Sequence, residues 1–216
     1  DIVDGFFFFV IGEGQTTGMQ LVKHSGVKSI GFTGSFKAGM AIYKAAINDR
    51  EVPVPVYAEM SSVNPVLILP QQLKSASSAL AAQLAGSITM GVGQFCTNPG
   101  LLFLMNDENT EAFINELKEK LTAAPAGIML NKNICNNYYE TKSKAAKEKG
   151  VTFLYEGEDV SGTAKGSAAL LKVNAADFIT SPALQNEIFG PASLIILCND
   201  QQEMLKAIQS LHGQLT

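Results

Sequence analysis

Short apolar runs at residues 6–10, 30–32 and 52–57 are separated by stretches of helical periodicity, which constrains the first sixty residues to a βαβαβ path and a parallel sheet. Between the last two runs, Phe36, Met40, Tyr43 and Ile47 recur at spacings of four, three and four, so they share one helix face, expected to pack on that sheet. Ser35 stands where the cap of this helix belongs. The alternation then resumes with a buried strand over residues 65–69 and a helical stripe of Leu73, Ala76, Leu80, Leu84 and Ile88 that runs into closely spaced glycines. A strand at 101–105 and a helix at 110–121 follow, with Glu111 in its first turn and Lys118 and Lys120 in its last, as the helix dipole favours. A polar helix ending at Gly150, strands near 151–155, 168–173 and 192–197, and a helix over 201–211 complete the pattern. The expected division is residues 1–59 and 60–216, with neither an internal repeat nor a low-complexity linker.

With 46% hydrophobic residues over 216 positions, the chain has enough apolar material for one or two cores. Sixteen basic against twenty acidic side chains give a net charge of −4, and apart from lysines between Lys142 and Lys149 the basic residues are scattered, so a nucleic-acid partner is not indicated. The longest strongly apolar run, residues 6–11, falls far short of a bilayer span. The opening Asp1-Ile2-Val3-Asp4 lacks the basic head of a secretory signal, so the expected compartment is cytoplasmic, without membrane insertion. Three cysteines, at 96, 135 and 198, are an odd number without metal-ligand spacing, which argues against a disulfide framework and a zinc site.

Two residues carry candidate chemistry. Cys96 lies in MGVGQFCTNPG, where glycines at 91, 93 and 100 are expected to leave room for a substrate, and Glu59 lies in YAEMSSVNP. A thiolate forms a covalent intermediate with a carbonyl carbon, and a carboxylate activates the water that releases it. Cys198, at the end of LIILC, reads as a buried small hydrophobe, and Cys135 as inert. His24 and His212 have no partner that suggests a catalytic dyad. After the second strand a small-residue turn leads into a helix, whose amino-terminal amides suit a pyrophosphate. Gly12, Gly14 and Gly18 form a GxGxxxG run, but without the glycine spacing of a dinucleotide fingerprint or an acidic residue at the end of the next strand.

Four stretches, GFTGSFKAG at 31–39, AEMSSVNP at 58–65, GQFCTNPG at 93–100 and NEIFGPAS at 186–193, together resemble the aldehyde dehydrogenase superfamily in order and spacing along essentially the whole chain. AEMSSVNPV and GQFCTNPGL are most similar to the branch that oxidises 2,5-dioxopentanoate (α-ketoglutarate semialdehyde), with fatty-aldehyde enzymes nearby. The resemblance implies an α/β, aldehyde-dehydrogenase-like fold: the remnant of a Rossmann-type cofactor domain, then most of an α/β catalytic domain truncated at its C-terminal end. It implies oxidation of an aldehyde with NAD or NADP through a thiohemiacetal and a thioester, with Cys96 as nucleophile and Glu59 as base. Tyr57, Ala58 and Met60 are expected to give Glu59 partly apolar surroundings. Glu187 matches the position that grips the nicotinamide ribose. Gly34, Ser35, Gly39 and Met60 fall in the cofactor-binding stretch, and Gly14 lies toward the adenosine end.

The chain departs from the broader superfamily where a glycine pair after the glutamate is replaced by Ser61-Ser62, whose hydroxyls are expected to stand close to the site and tune substrate choice. The superfamily draws its oxyanion asparagine and adenosine-ribose contacts from upstream of residue 1 and closes its site and oligomer from downstream. The chain therefore resembles an internal excerpt of a homo-oligomeric parent, with weak or no turnover alone. Two other functions share these residues: a non-enzymatic scaffold or interaction module, and a cysteine hydrolase acting on thioesters or activated esters without a dinucleotide.

Overall fold

A computed structural model describes residues 5–214. The acidic opening at residues 1–4 lies outside the described residues. The chain divides into two compact units, Asp1–Ser61 and Ser62–Thr216.

The first unit contains a single π-helical turn at Gly14–Gly18, helix α1 (Met19–Lys23), strand β1 (Ile30–Gly34), helix α2 (Phe36–Asn48) and strand β2 (Val56–Met60). β1 and β2 pair in parallel, with Thr33 opposite Glu59 and Gly34 opposite Met60. The expected strand at residues 6–10 does not form: the segment is irregular and Phe6 to Phe9 are each more than three-quarters exposed. A strand exists only through a ladder, and among the described residues β1 and β2 pair only with each other. The expected sheet-facing side of α2 is also wrong. Phe36, Tyr43 and Ile47 are exposed, and the helix turns Gly39, Ile42, Ala45 and Ala46 inward, where Ala45 and Ala46 join Val22, Ile30 and Val56 in a small core. Small residues win this face because they let the helix approach closely: a β-carbon at Gly39 would collide with the Met60 thioether.

The second unit is built on a five-stranded sheet. Its elements are β3 (Pro65–Ile68), α3 (Pro70–Thr89), β4 (Leu101–Met105), α4 (Thr110–Thr122), β5 (Gly127–Ile128), α5 (Lys132–Ala146), β6 (Thr152–Glu156), β7 (Lys165–Gly166), β8 (Ala169–Asn174), α6 (Ala175–Thr180), β9 (Ala192–Cys198) and α7 (Gln201–Gln209). The sheet order is β3-β4-β9-β8-β6, parallel except for β6, while β5 and β7 form a small separate ribbon. Alternation along β4 explains the layers. Leu102 and Leu104 face the core shared with α3 and α4, and Leu101 and Phe103 face the one containing Tyr138 of α5, Phe178 of α6 and Met204 of α7. With both faces covered, central strands become continuous apolar runs, as LLFLM and ASLIILC are. Each fully buried side chain of this kind contributes about 1.5–3 kcal/mol.

Candidate active site

Three segments of the second unit meet because their strands are neighbours. Asn64 precedes β3, Cys96 to Gly100 precede β4, and Gly190-Pro191 precede β9, so all three lie at the amino ends of adjacent parallel strands. Backbone bonds stitch them together: the amides of Gly100 and Leu101 donate to Val63 O at 2.9 and 3.2 Å, and Leu194 N donates to Gly100 O at 2.8 Å. Cys96 is exposed, at the second position of a turn closed by Asn98 N donating to Phe95 O at 3.1 Å.

The glycines around Cys96 are set closely against the chain itself. Gly91, Val92 and Gly93 have φ of 54°, 59° and 65°, a left-handed run that ends α3 and turns the backbone toward the cysteine. A β-carbon at Gly93 would strike Gly190 and Pro191, and one at Gly100 would come within 2.9 Å of Val63 O. Val92 is strained, because a β-branched residue rarely adopts positive φ. Its side chain lies where β-carbons on Gly127 and Gly166 would stand, so the β5–β7 ribbon holds it in place.

Asn64, buried and itself at φ 42°, grips the cysteine turn from outside. Its Nδ2 donates to Cys96 O at 2.7 Å and Asn98 O at 2.8 Å, while its Oδ1 accepts from Ser62 Oγ at 2.6 Å. Asn98 Nδ2 donates to Gly190 O at 3.2 Å, and Ser62 N lies 3.5 Å from Glu187 Oε1, at the long limit of a hydrogen bond. Ser62, Asn98 and Glu187 also line a cavity of about 350 Å³, together with Thr141 and Lys144 of α5 and Glu148 just beyond its end. Sequence reasoning missed this bracing. The signal was present in two Asn-Pro dipeptides, at 64–65 and 98–99, each a turn marker directly before a strand.

In the first unit, β1, α2 and β2 bring Gly34, Ser35, Gly39, Glu59 and Met60 to one region at the carboxyl ends of two parallel strands, where α/β sheets open their crevices. Ser35 caps α2 as expected, its Oγ accepting from Ala38 N at 3.3 Å. Ser61 Oγ accepts from Phe36 N at 3.1 Å, so a second amide of the first turn is engaged. The Ser61 and Ser62 hydroxyls thus bond within the chain, Ser61 accepting at a helix end and Ser62 donating to Asn64. Glu59 is exposed, and Tyr57, 71% exposed on the same side of β2, does not form the expected apolar wall beside it. Gly14 opens the exposed π-helical turn, and a β-carbon there would meet nothing within 4 Å.

The remaining thiols differ from Cys96. Cys198 is fully buried and its thiol is pushed up to about 11 by burial, with Glu203 and Asp200 adding to the effect. Burial, and then Asp159, likewise raise Cys135, whose Sγ lies 3.4 Å from Lys165 O. Tyr138 packs where a side chain on Gly190 would stand and donates to Ser167 O at 2.7 Å; desolvation drives its hydroxyl far above its ordinary value. Lys142, read as part of a polar run, is almost buried, pairing with Glu156 at 2.9 Å beneath the Tyr139 ring at 4.7 Å. Among the described residues no cluster of metal-ligating side chains occurs, and no helix is long and apolar enough to cross a membrane.

The model of the aldehyde dehydrogenase family matches residues 2–212. The chain belongs to the aldehyde dehydrogenase family. It is 41% identical over 212 residues to the alpha-ketoglutaric semialdehyde dehydrogenase 2 of Azospirillum brasilense, and 34% identical over 216 residues to an alpha-ketoglutaric semialdehyde dehydrogenase of Acinetobacter baylyi. These alignments take in 98% and 100% of this chain but 40% of each relative, so this aldehyde dehydrogenase chain spans about two fifths of their length. In fold it is similar to a NAD-dependent benzaldehyde dehydrogenase from Corynebacterium glutamicum, with a TM-score of 0.76 at 21% identity over 93% of this chain and 43% of that one. It is also similar to a betaine aldehyde dehydrogenase from Staphylococcus aureus in complex with NAD+, with a TM-score of 0.75 at 18% identity over 94% and 41%.

Proposed function

We propose that this chain carries the nucleophile and base of an aldehyde dehydrogenase that converts an aldehyde to a carboxylate with NAD or NADP. The observation that carries the proposal is Cys96: an exposed thiol on a turn held by Asn64, in a chain of this family whose other two cysteines are buried with raised pKa values. Its thiolate adds to the aldehyde carbon, forming a C–S bond and a thiohemiacetal. A bound NAD or NADP would supply the hydride acceptor at that carbon, and loss of the hydride leaves Cys96 holding a thioester. Glu59 removes a proton from water, which attacks the thioester; the C–S bond breaks, the carboxylate leaves and the thiol is restored.

Gly34, Ser35, Gly39, Met60, Gly14 and Glu187 are assigned to cofactor binding. Ser35 fits the role: its Oγ accepts from Ala38 N and keeps its own proton to donate to a phosphate oxygen, at the positive end of α2. Glu187 is assigned to the ribose hydroxyls. The names of the two semialdehyde relatives support a semialdehyde such as 2,5-dioxopentanoate as substrate. The active parent is taken to be a homo-oligomer, as the family resemblance implies. A cytoplasmic setting fits a mechanism that needs Cys96 reduced.

The test is an assay of a full-length protein containing this chain against a 2-oxo semialdehyde, a long-chain aldehyde and benzaldehyde with each cofactor. The proposal predicts a kcat/KM for the semialdehyde at least about tenfold above the others, and complete loss with Cys96→Ala. Retention of NAD(P)H formation by Cys96→Ala rules out the mechanism, and equal rates on all three aldehydes rule out the substrate class.

A further inference from the structure

We propose that Ser62 and Asn64 are positioning residues for the nucleophile, holding the Cys96 turn in its reactive orientation; this rests on the reading of Cys96 given above. Asn64 acts on the nucleophilic residue itself, since one of its two Nδ2 protons goes to the carbonyl of Cys96 and the other to that of Asn98. Without Asn64 the turn would keep its one internal hydrogen bond and the anchor of Asn98 on Gly190 O, but nothing that holds the carbonyl of the exposed Cys96. With both carbonyls held, the peptide planes that follow Cys96 and Asn98 cannot rotate, and the first of these fixes the backbone on the carboxyl side of the cysteine, which limits the direction in which its side chain leaves the turn.

The amide of Asn64 has only one orientation that serves this purpose. Reversed, its oxygen would face two carbonyl oxygens. The Ser62 hydroxyl donates to Oδ1 at 2.6 Å and selects the serving orientation, a role that a glycine or alanine at 62 cannot fill. Both residues are buried, at 8% and 4% exposure, so solvent does not readily replace either bond. Asn64 at φ 42° adopts a conformation that asparagine tolerates better than most residues, which places its side chain under the turn.

The test uses the 216-residue chain and p-nitrophenyl acetate, whose ester carbon accepts the Cys96 thiolate as p-nitrophenolate leaves. Acyl transfer depends on approach geometry, and an angstrom of misplacement costs on the order of a hundredfold. Alkylation by iodoacetamide depends chiefly on an accessible thiolate. Asn64→Ala is expected to slow acetylation of Cys96, followed by mass spectrometry, about a hundredfold, and Ser62→Ala about tenfold. Ser62→Thr, which keeps the hydroxyl, stays within about twofold of the parent, and iodoacetamide rates change less than about twofold in all variants. If Asn64→Ala does not fold, the Ser62→Ala and Ser62→Thr pair decides. Acetylation at the parent rate in Ser62→Ala and Asn64→Ala, with loss in Cys96→Ala, overturns the positioning role and leaves the nucleophile standing. Acetylation that survives Cys96→Ala brings down both.

Discussion

At the scale of single residues, the three thiols separate by environment. Cys96 is exposed, whereas Cys135 and Cys198 have no exposed surface and raised pKa values. Iodoacetamide at pH 8 is therefore expected to modify Cys96 at least about a hundred times faster than either, read by peptide mass spectrometry; comparable labelling of all three would contradict this assignment. Cys198 also has a pH signature. Its folded value of about 11 lies above the ordinary 9.0, so its protonated form favours the folded state. That stability is fully present below pH 9 and is lost as the pH rises toward 11, because the unfolded chain ionises first. Replacing Cys198 with alanine should flatten the fall in melting temperature between pH 9 and 11; an unchanged slope would show that the thiol does not carry it.

At the scale of elements, the close approach of the cysteine loop to the segment before β9 is the point most sensitive to substitution. Gly93→Ala places a methyl group against Gly190 and Pro191 at a residue with φ 65°, and is expected to cost at least about 2 kcal/mol, measured by denaturant unfolding. A loss below about 0.5 kcal/mol would mean that the two segments separate easily. The same elements show which features the sequence made readable. β4 begins and ends where its apolar run does, and α4 starts at Thr110 because the Asp107 carboxylate accepts from the Thr110 amide at 3.1 Å. Residues 6–10 misled because apolar β-rich composition does not supply a ladder partner. On α2 two candidate faces competed, and close approach favoured alanine and glycine over the larger stripe. Cys96, Glu59 and Glu187 were singled out from their motifs, but the bonds of Ser61 to Phe36, Asn64 to the cysteine turn and Asn98 to Gly190 join segments far apart in sequence, which local patterns do not encode.

At the scale of the molecule, family membership joins a β1–α2–β2 unit carrying Glu59 to a five-stranded unit carrying Cys96 and Glu187. The five-stranded unit gathers its site at the amino ends of β3, β4 and β9, and the tight backbone contacts there explain why small residues cluster around the cysteine. The central claim is a division of labour, in which the sulfur at 96 takes the acyl group and the carboxylate at 59 releases it. The most direct measurement is the lifetime of the acetyl group on Cys96 after a pulse of p-nitrophenyl acetate, in the parent chain and in Glu59→Gln. The account predicts that the glutamine variant acetylates at the parent rate and holds the thioester about a hundredfold longer. Equal lifetimes in the two proteins would contradict it.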